Sequence, residues 1–459
     1  MIQRMILAAI VLGEIVSLSF VSPARAKDPP SSLEKRLNRL VLDYYQSENG
    51  PGTAVLVMVD GRPVLRKGYG MADIEKGVKV TPDMIFRIGS ITKQFTSVAV
   101  LKLVQKGKVS LEDPITKYLP EFDTRGKTIT IENLLSHTSG LPNYTATPDY
   151  AAGMTRVLKP EEMVAIVAGK PLEFDPGTRF RYSNTNYVVL GMLIEKLTGR
   201  SYAENFKSAI AKPLGLDDTR YSRDDDLTPR HARGYEPKDS ADWAPARPLS
   251  MTQPFAAGAL ESTVDDLAKW TQALAQDNAV DAKLMERAWT PYKTTESPSD
   301  YGYGWFIRAE SGERWIGHNG GINGFQSAAV WIPEKKVFVA ILRNSLGGNA
   351  PDLLLRRLAL EAVGRPEAKH KAITLPAKTL DRYVGVYALS PEAKFTIARR
   401  GDKLIAEAPN KSKVELFAEA EDRFFSENDV QFTFAVKDEK ATQMTLRRAG
   451  RDTVAKRID

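Results

Sequence analysis

Strand patterns bracket a long helical block, and that order constrains the fold more than any other feature of the chain. The run Thr53–Val59 and the run 63–69 are joined through Asp60-Gly61, a hairpin signal. From about residue 111 to 250 no convincing period-2 alternation occurs. The pattern there predicts helices over 131–136, 161–167, 184–197 and 202–211. Strands return at 304–307, 314–317, 325–332 and 337–342, and a helix over 351–363 follows. Strand runs on either side of the block can bury one core only if they join one sheet. Mostly short connections make that sheet antiparallel. The expected fold is α/β in the α+β sense, an antiparallel sheet with an all-α lobe inserted.

Two further helices frame the first strands. Residues 31–47 read as an amphipathic helix with a capping box at Ser31 and Glu34. Residues 84–89 read as short and extended. Residues 90–106 form a helix that is apolar around most of its circumference and therefore buried, and Gly107 stops it.

Beyond 364 the texture changes. Residues 365–377 are charged and contain proline, as a linker does. After them come β-type runs at 383–387, 395–399, 404–407, 414–417, 423–425, 430–436, 444–447 and 453–456, with Gly401-Asp402 as a tight turn between two of them. Runs so short and evenly spaced suggest a small up-and-down barrel or sandwich. The expected organisation is a signal segment (1–26), a main domain (27–364), a linker (365–377) and a β domain (378–459).

Composition removes several function classes. The chain has no cysteine, which excludes a disulfide scaffold, a cysteine nucleophile and Cys-ligated metal. The four histidines are far apart in sequence, so no metal site is expected. The net charge of +7 is spread over 459 residues without a basic arm, so no nucleic-acid partner is expected. Arg4, an apolar run from Met5 to Val21 and Ala24-Arg25-Ala26 form a signal-peptide pattern. Glu14 interrupts the apolar run, and a cleaved signal ending at Ala26 is favoured over an uncleaved anchor. The mature chain is then expected in a periplasm or secreted, with no membrane span.

Chemistry narrows to a few residues. There is no Gly-x-Ser-x-Gly elbow, no His-Glu-x-x-His and no phosphate-binding Gly-rich loop. Ser-x-x-Lys occurs twice. Ser32 to Lys35 opens a polar-faced helix, where a water-exposed Lys stays protonated and cannot act as a base. Ser90-Ile91-Thr92-Lys93 opens the apolar helix, which puts the Lys amine and the Ser hydroxyl on one face, one turn apart. Burial disfavours the charged amine, and a neutral Lys can take a proton from Ser. The helix start also offers backbone N–H groups to a developing oxyanion. Tyr182-Ser183-Asn184 is the sole Tyr-x-Asn in the chain and starts a helix after Pro176-Gly177. A packed Tyr with Asn184 as N-cap is the plainer reading of it. His318-Asn319-Gly320 lies on a strand expected to end at Gly320-Gly321, where glycines let a substrate approach the sheet edge.

Together these three elements resemble the serine β-lactamase and penicillin-binding-protein superfamily, and within it the class C β-lactamase-like serine hydrolases. The segment Leu134-Leu135-Ser136-His137-Thr138-Ser139-Gly140-Leu141-Pro142, the segment from Phe180 to Thr185, Ser262 to Leu267, and Tyr301-Gly302-Tyr303-Gly304-Trp305 are also similar to segments of that group. The resemblance spans about residues 34 to 363, and residues 380–459 resemble a small lipocalin-like β domain. It implies a β-lactamase/transpeptidase-like fold and an acyl-enzyme on Ser90, with Lys93 and Tyr182 sharing the proton transfers. It implies that Asn184, His318 and Gly320 meet substrate, that Ser90 and Gly321 N–H groups form the oxyanion hole, and that no cofactor is needed. His318 stands where the family places Lys or His. A His-x-Gly there is more like the peptidase branch than the Lys-Thr-Gly of class C lactamases. A cationic His318 would support Tyr182 or a substrate carboxylate, a neutral one would act as a hydrogen-bond acceptor, and a mixed role dominated by positioning is the expectation. His137 reads as a structural turn residue. Substrates implied are D-amino-acid peptides (as an aminopeptidase or carboxypeptidase would cut) or small esters, with β-lactam hydrolysis or a non-catalytic penicillin-binding sensor as alternatives. Homo-oligomerisation stays open.

Overall fold

The computed structural model describes residues 31–45, 48–223, 227–238, 242–347, 350–366, 370–390, 393–409, 411–426, 430–448 and 451–459. The expected signal segment lies outside them. Helix α1, Ser32–Tyr44, begins where Ser31 Oγ accepts the Glu34 N–H at 3.0 Å, and it buries Leu37 and Val41. Strands β1 (Thr53–Val59) and β2 (Arg62–Tyr69) turn through Asp60 and Gly61, whose φ of 49° and 74° suit a type I′ turn. Next come α2 (Thr92–Gln105) and α3 (Asn184–Thr198), then α4 (Val264–Ala275). Strands β3 (Phe306–Glu310), β4 (Glu313–Ile322), β5 (Phe325–Ile332) and β6 (Val337–Arg343) follow, and α5 (Pro351–Ala362) closes this part of the chain.

These strands form one sheet in the order β3-β4-β5-β6-β1-β2, every neighbouring pair antiparallel. β1 pairs with β6 from Thr53↔Arg343 to Val59↔Val337. Alternation along each strand then serves two cores. Val55, Val57, Val339 and Ile341 pack with Leu37 of α1 and Leu354 and Leu358 of α5. Ala54, Leu56, Phe338 and Leu342 face the opposite way, into the core that holds α2, α3 and α4. A sheet buried on both faces explains why β6 reads as an unbroken apolar run.

The structure departs from the sequence expectations in several places. Short strands Arg220–Tyr221, Tyr235–Pro237 and Trp243–Pro245 occur where no strand pattern was legible. The expected helix 202–211 is α-helical only over Tyr202–Phe206 and continues as a π-helical turn, Lys207–Ala211. α4 and the helix Ala282–Ala288 have no counterpart among the expected elements. β4 runs one residue past the expected end at Gly320-Gly321 and pairs with β5 through Ile322.

The C-terminal strands Gly385–Ala388, Lys394–Arg400, Lys403–Glu407, Lys413–Ala418, Arg423–Ser426, Gln431–Lys437, Lys440–Arg448 and Arg451–Arg457 close into one barrel of eight. Closure leaves no open sheet edge. Tyr383, Tyr387, Phe424, Phe434 and Met444 fill its interior. Ile373 donates its N–H to the Ala418 carbonyl at 2.8 Å. Among the described residues no helix is long and apolar enough to cross a membrane.

Candidate active site

Ser90 sits in a 3-10 turn, Gly89–Ile91, that runs directly into α2. The turn presses on β4. A Cβ at Gly320 would lie 2.1 Å from the Ile88 carbonyl oxygen and 3.0 Å from Ser90 N, and one at Gly89 would lie 3.0 Å from Gly321 N. Only glycine permits this approach, and Gly89 also adopts a φ of +50°. The contact brings the Ser90 and Gly321 amides into one neighbourhood. A Cβ at Gly321 would meet nothing within 4 Å, so that side of the strand is open.

Lys93 is fully buried one turn into α2. Its Nζ lies 3.1 Å from Ser90 Oγ and donates to Asn184 Oδ1 at 2.8 Å and to the Ala257 carbonyl at 2.7 Å. Among the described residues no carboxylate pairs with it. Burial holds its pKa well below the usual lysine range. The partners then settle where the lone pair of the neutral amine points. Two of the three are carbonyl oxygens with no hydrogen to give, so both amine hydrogens go to them. The lone pair is left for the one partner that carries a hydrogen, Ser90 Oγ–H.

Tyr182 and Asn184 enter from the start of α3. Asn184 is not the N-cap; Ser183 occupies that position, without a side-chain cap bond. The Asn184 side chain instead bridges the site, donating from Nδ2 to Thr145 Oγ1 at 3.0 Å, while its N–H donates to Asn143 Oδ1 at 3.1 Å. The Lys93 amine lies 4.8 Å from the Tyr182 ring centre and 5.4 Å from that of Tyr187. Tyr182 Oη is buried with no hydrogen bond of ordinary geometry, although it faces Ser90. Burial pushes the phenol pKa up, and the Ser90 hydroxyl only partly opposes that. Tyr182 is therefore a neutral phenol, not the acidified one that a neighbouring cation would create.

His318, on β4, is 4% exposed. Its Nδ1 lies 2.5 Å from the Asn319 carbonyl oxygen and its Nε2 lies 3.0 Å from Tyr301 Oη. A carbonyl can only accept, so Nδ1 carries the hydrogen and Nε2 accepts from the tyrosine. Burial, reinforced by Lys93, pushes its pKa down to about 3. The cationic alternative raised by the sequence is thereby replaced by a neutral imidazole with both nitrogens satisfied by protein. Asn319, on the other face of the strand, donates to Asp352 Oδ1 of α5 at 3.1 Å. Ser32 and Lys35 are exposed on α1 and take no part in this cluster.

The structure thus brings Ser90, Lys93, Tyr182, Asn184, Gly320 and Gly321 together, with His318 behind Tyr182 at 6.1 Å between ring centres. Sequence reasoning missed Thr145, Asn143 and the Ala257 carbonyl. The first two belong to a 3-10 turn, Tyr144–Ala146 with Asn143 as its N-cap, too short to show a period, and the third contributes only backbone. Tyr301 had a sequence signal, in the Tyr301–Trp305 stretch.

Buried neutral histidines have a cost in acid. Below about pH 6.5 the unfolded chain binds protons that folded His318, at about 3, and His137, also far below its usual range, do not. Stability therefore falls as pH falls, by up to about 1.4 kcal/mol per pH unit for each histidine. Urea denaturation at pH 7.5 and 5 should show this loss, and His318→Gln should reduce it by about 2 kcal/mol. Equal pH dependence in the two proteins would refute the assignment.

The β-lactamase family model matches residues 37–364, and a model for a domain of unknown function, DUF3471, matches 369–457. Penicillin-binding protein 4* of Bacillus subtilis (strain 168) is 27% identical over 449 residues, covering 92% of this chain and 98% of that protein. An octameric penicillin-binding protein homologue from Pyrococcus abyssi superposes with a TM-score of 0.68 at 29% identity, over 92% of this chain and 99% of that one. The D-amino acid amidase of Ochrobactrum anthropi SV3 superposes with a TM-score of 0.62 at 27% identity, over 72% of this chain and 97% of that one. By its fold, its extent and these likenesses, the chain belongs to the β-lactamase and penicillin-binding-protein superfamily, and it carries a C-terminal β-barrel domain.

Proposed function

We propose that the protein is a serine hydrolase that cleaves amide or ester bonds through an acyl-enzyme on Ser90. The observation that carries this reading is the buried Lys93 amine, 3.1 Å from Ser90 Oγ with two carbonyl oxygens as its other partners, whose burial favours the free base. Ser90 Oγ attacks the substrate carbonyl carbon as its proton passes to Lys93 Nζ. The carbonyl oxygen becomes an oxyanion beside the Ser90 and Gly321 N–H groups. Collapse of the intermediate breaks the bond to the leaving amine or alcohol, which takes a proton from Tyr182 Oη. Lys93 returns its proton to Tyr182, and the free base then activates water for deacylation. Asn184, held by Thr145 and Lys93, is placed to bond the amide on the acyl side.

The state of His318 narrows the substrate. A carboxypeptidase substrate and a β-lactam both bring a carboxylate, which a permanent cation at this strand position would hold. His318 is neutral and its nitrogens are occupied. That favours substrates uncharged there, such as amides and esters of D-amino acids, and the likeness to a D-amino acid amidase agrees. A panel of D-amino-acid amides, p-nitrophenyl esters, D-Ala-terminated peptides and nitrocefin tests this, with turnover expected on the first two. Preferred cleavage of nitrocefin or of free-carboxylate peptides would overturn it. The reading includes export. N-terminal sequencing of protein made in a bacterial host should begin at Lys27, and a start at Met1 in a membrane fraction would show an uncleaved anchor.

A further inference from the structure

His137 has no part in the steps above, yet two of its atoms make three hydrogen bonds that hold the segment carrying Tyr182. Its Nδ1 accepts the Ser183 N–H at 3.2 Å and lies 3.1 Å from Asn186 Nδ2, while its backbone carbonyl accepts the Arg181 N–H at 3.0 Å. These donors lie on both sides of Tyr182 in sequence. Asn186 is itself fixed by the Ser139 hydroxyl, which donates to its Oδ1 at 2.6 Å. The imidazole lies 4.3 Å from the Tyr182 ring, tilted by 36°, with Tyr187 at 5.1 Å and Tyr301 at 4.8 Å on its other sides. Two donors on Nδ1 put the hydrogen on Nε2, which is buried without a hydrogen-bond partner. The residue also holds a φ of +57°, a region that non-glycine residues occupy at a cost. A strained backbone and an unpaired N–H are more than a turn requires.

We propose that His137 is the positioning residue of Tyr182, clamping 181–183 by hydrogen bonds and fixing the phenol ring by stacking so that Oη meets the leaving group. The inference rests on the reading of Tyr182 as the group that protonates the leaving group. An amide nitrogen must be protonated to leave, whereas p-nitrophenolate leaves without a proton. Misplacing Tyr182 therefore harms amide cleavage selectively. In His137→Ala, kcat on a D-amino-acid amide should fall about 10²-fold, the loss typical of impaired proton transfer. On the matching p-nitrophenyl ester it should fall by less than about 5-fold, with KM unchanged on both. His137→Asn should restore amide turnover, because Asn tolerates positive φ and its Oδ1 can replace Nδ1 as acceptor. In a Tyr182→Phe background, His137→Ala should cost nothing more. Equal losses on amide and ester, or undiminished amide turnover, overturn the proposal. If His137→Ala does not fold, a folded His137→Asn without amide turnover does so. Full amide turnover by Tyr182→Phe would instead overturn the reading of Tyr182 itself. An inactive Tyr182→Phe beside a fully active His137→Ala would remove only the positioning role.

Discussion

Replacing Ser90 by alanine removes turnover by roughly 10⁴–10⁶-fold, the scale seen when a catalytic nucleophile is deleted. The expectation follows from placement. Ser90 is the one hydroxyl among the partners of the Lys93 amine, at 3.1 Å, and it sits where a helix start meets an open strand segment. Fluorophosphonate or penicillin labelling of the wild type should add one covalent adduct by intact mass, and Ser90→Ala should show none. Ser32→Ala should keep full labelling and full rate, because Ser32 is exposed on α1. An adduct on the Ser90→Ala protein would end the acyl-enzyme reading.

Lys93→Met is expected to cost roughly 10³–10⁴-fold in kcat/KM, near the upper range for loss of a general base. Lys93→Arg separates two roles for the amine. A guanidinium keeps the charge but does not deprotonate in proteins, so Lys93→Arg should be as inactive as Lys93→Met if the lone pair is what matters. Retained activity in Lys93→Arg would mean that Lys93 acts as a charge. The pH profile adds an independent reading. Burial lowers the Lys93 pKa, and the active form is the free base. kcat/KM should therefore rise with pH through that pKa and then level off. His318, held at about 3, should add no inflection between pH 5 and 8. An acidic limb that survives in His318→Gln but tracks conservative changes around Lys93 would confirm its origin.

Much of this site is legible in the sequence because its main event is local. A lysine one turn after a serine, in a helix apolar on nearly all sides, is expected to be buried, and burial lowers its hold on a proton. The eight barrel strands and the Asp60-Gly61 hairpin are legible for the same reason, since period-2 patterns and turn residues act over a few positions. What escaped reading depends on distant partners. The close packing of Gly320 against Ile88 and Ser90 is such a case, since the two segments lie some 230 residues apart in the chain. The neutrality of His318 depends on burial first and on the Lys93 amine second, neither of which a histidine at a strand end announces. The strands at 220–221, 235–237 and 243–245 are too short to show an alternation at all.

The sheet order has a bearing on how the chain reaches its working form. β1 has β2 on one side and β6 on the other, so residues near 53 wait for a partner near 343. Ser90 likewise waits for Gly320 and Gly321. At typical synthesis rates of 5–20 residues per second, roughly 10–50 s separate the emergence of the nucleophile from that of the last strand. Throughout that interval the β1–β2 hairpin offers one unpaired apolar edge, and pairings so distant along the chain close slowly. The nascent chain thus lacks the assembled cluster and exposes an adhesive edge until the strand ending near residue 343 has been made. The cluster around Ser90 is therefore assembled only once β4, β5 and β6 have been made and have paired back onto β1.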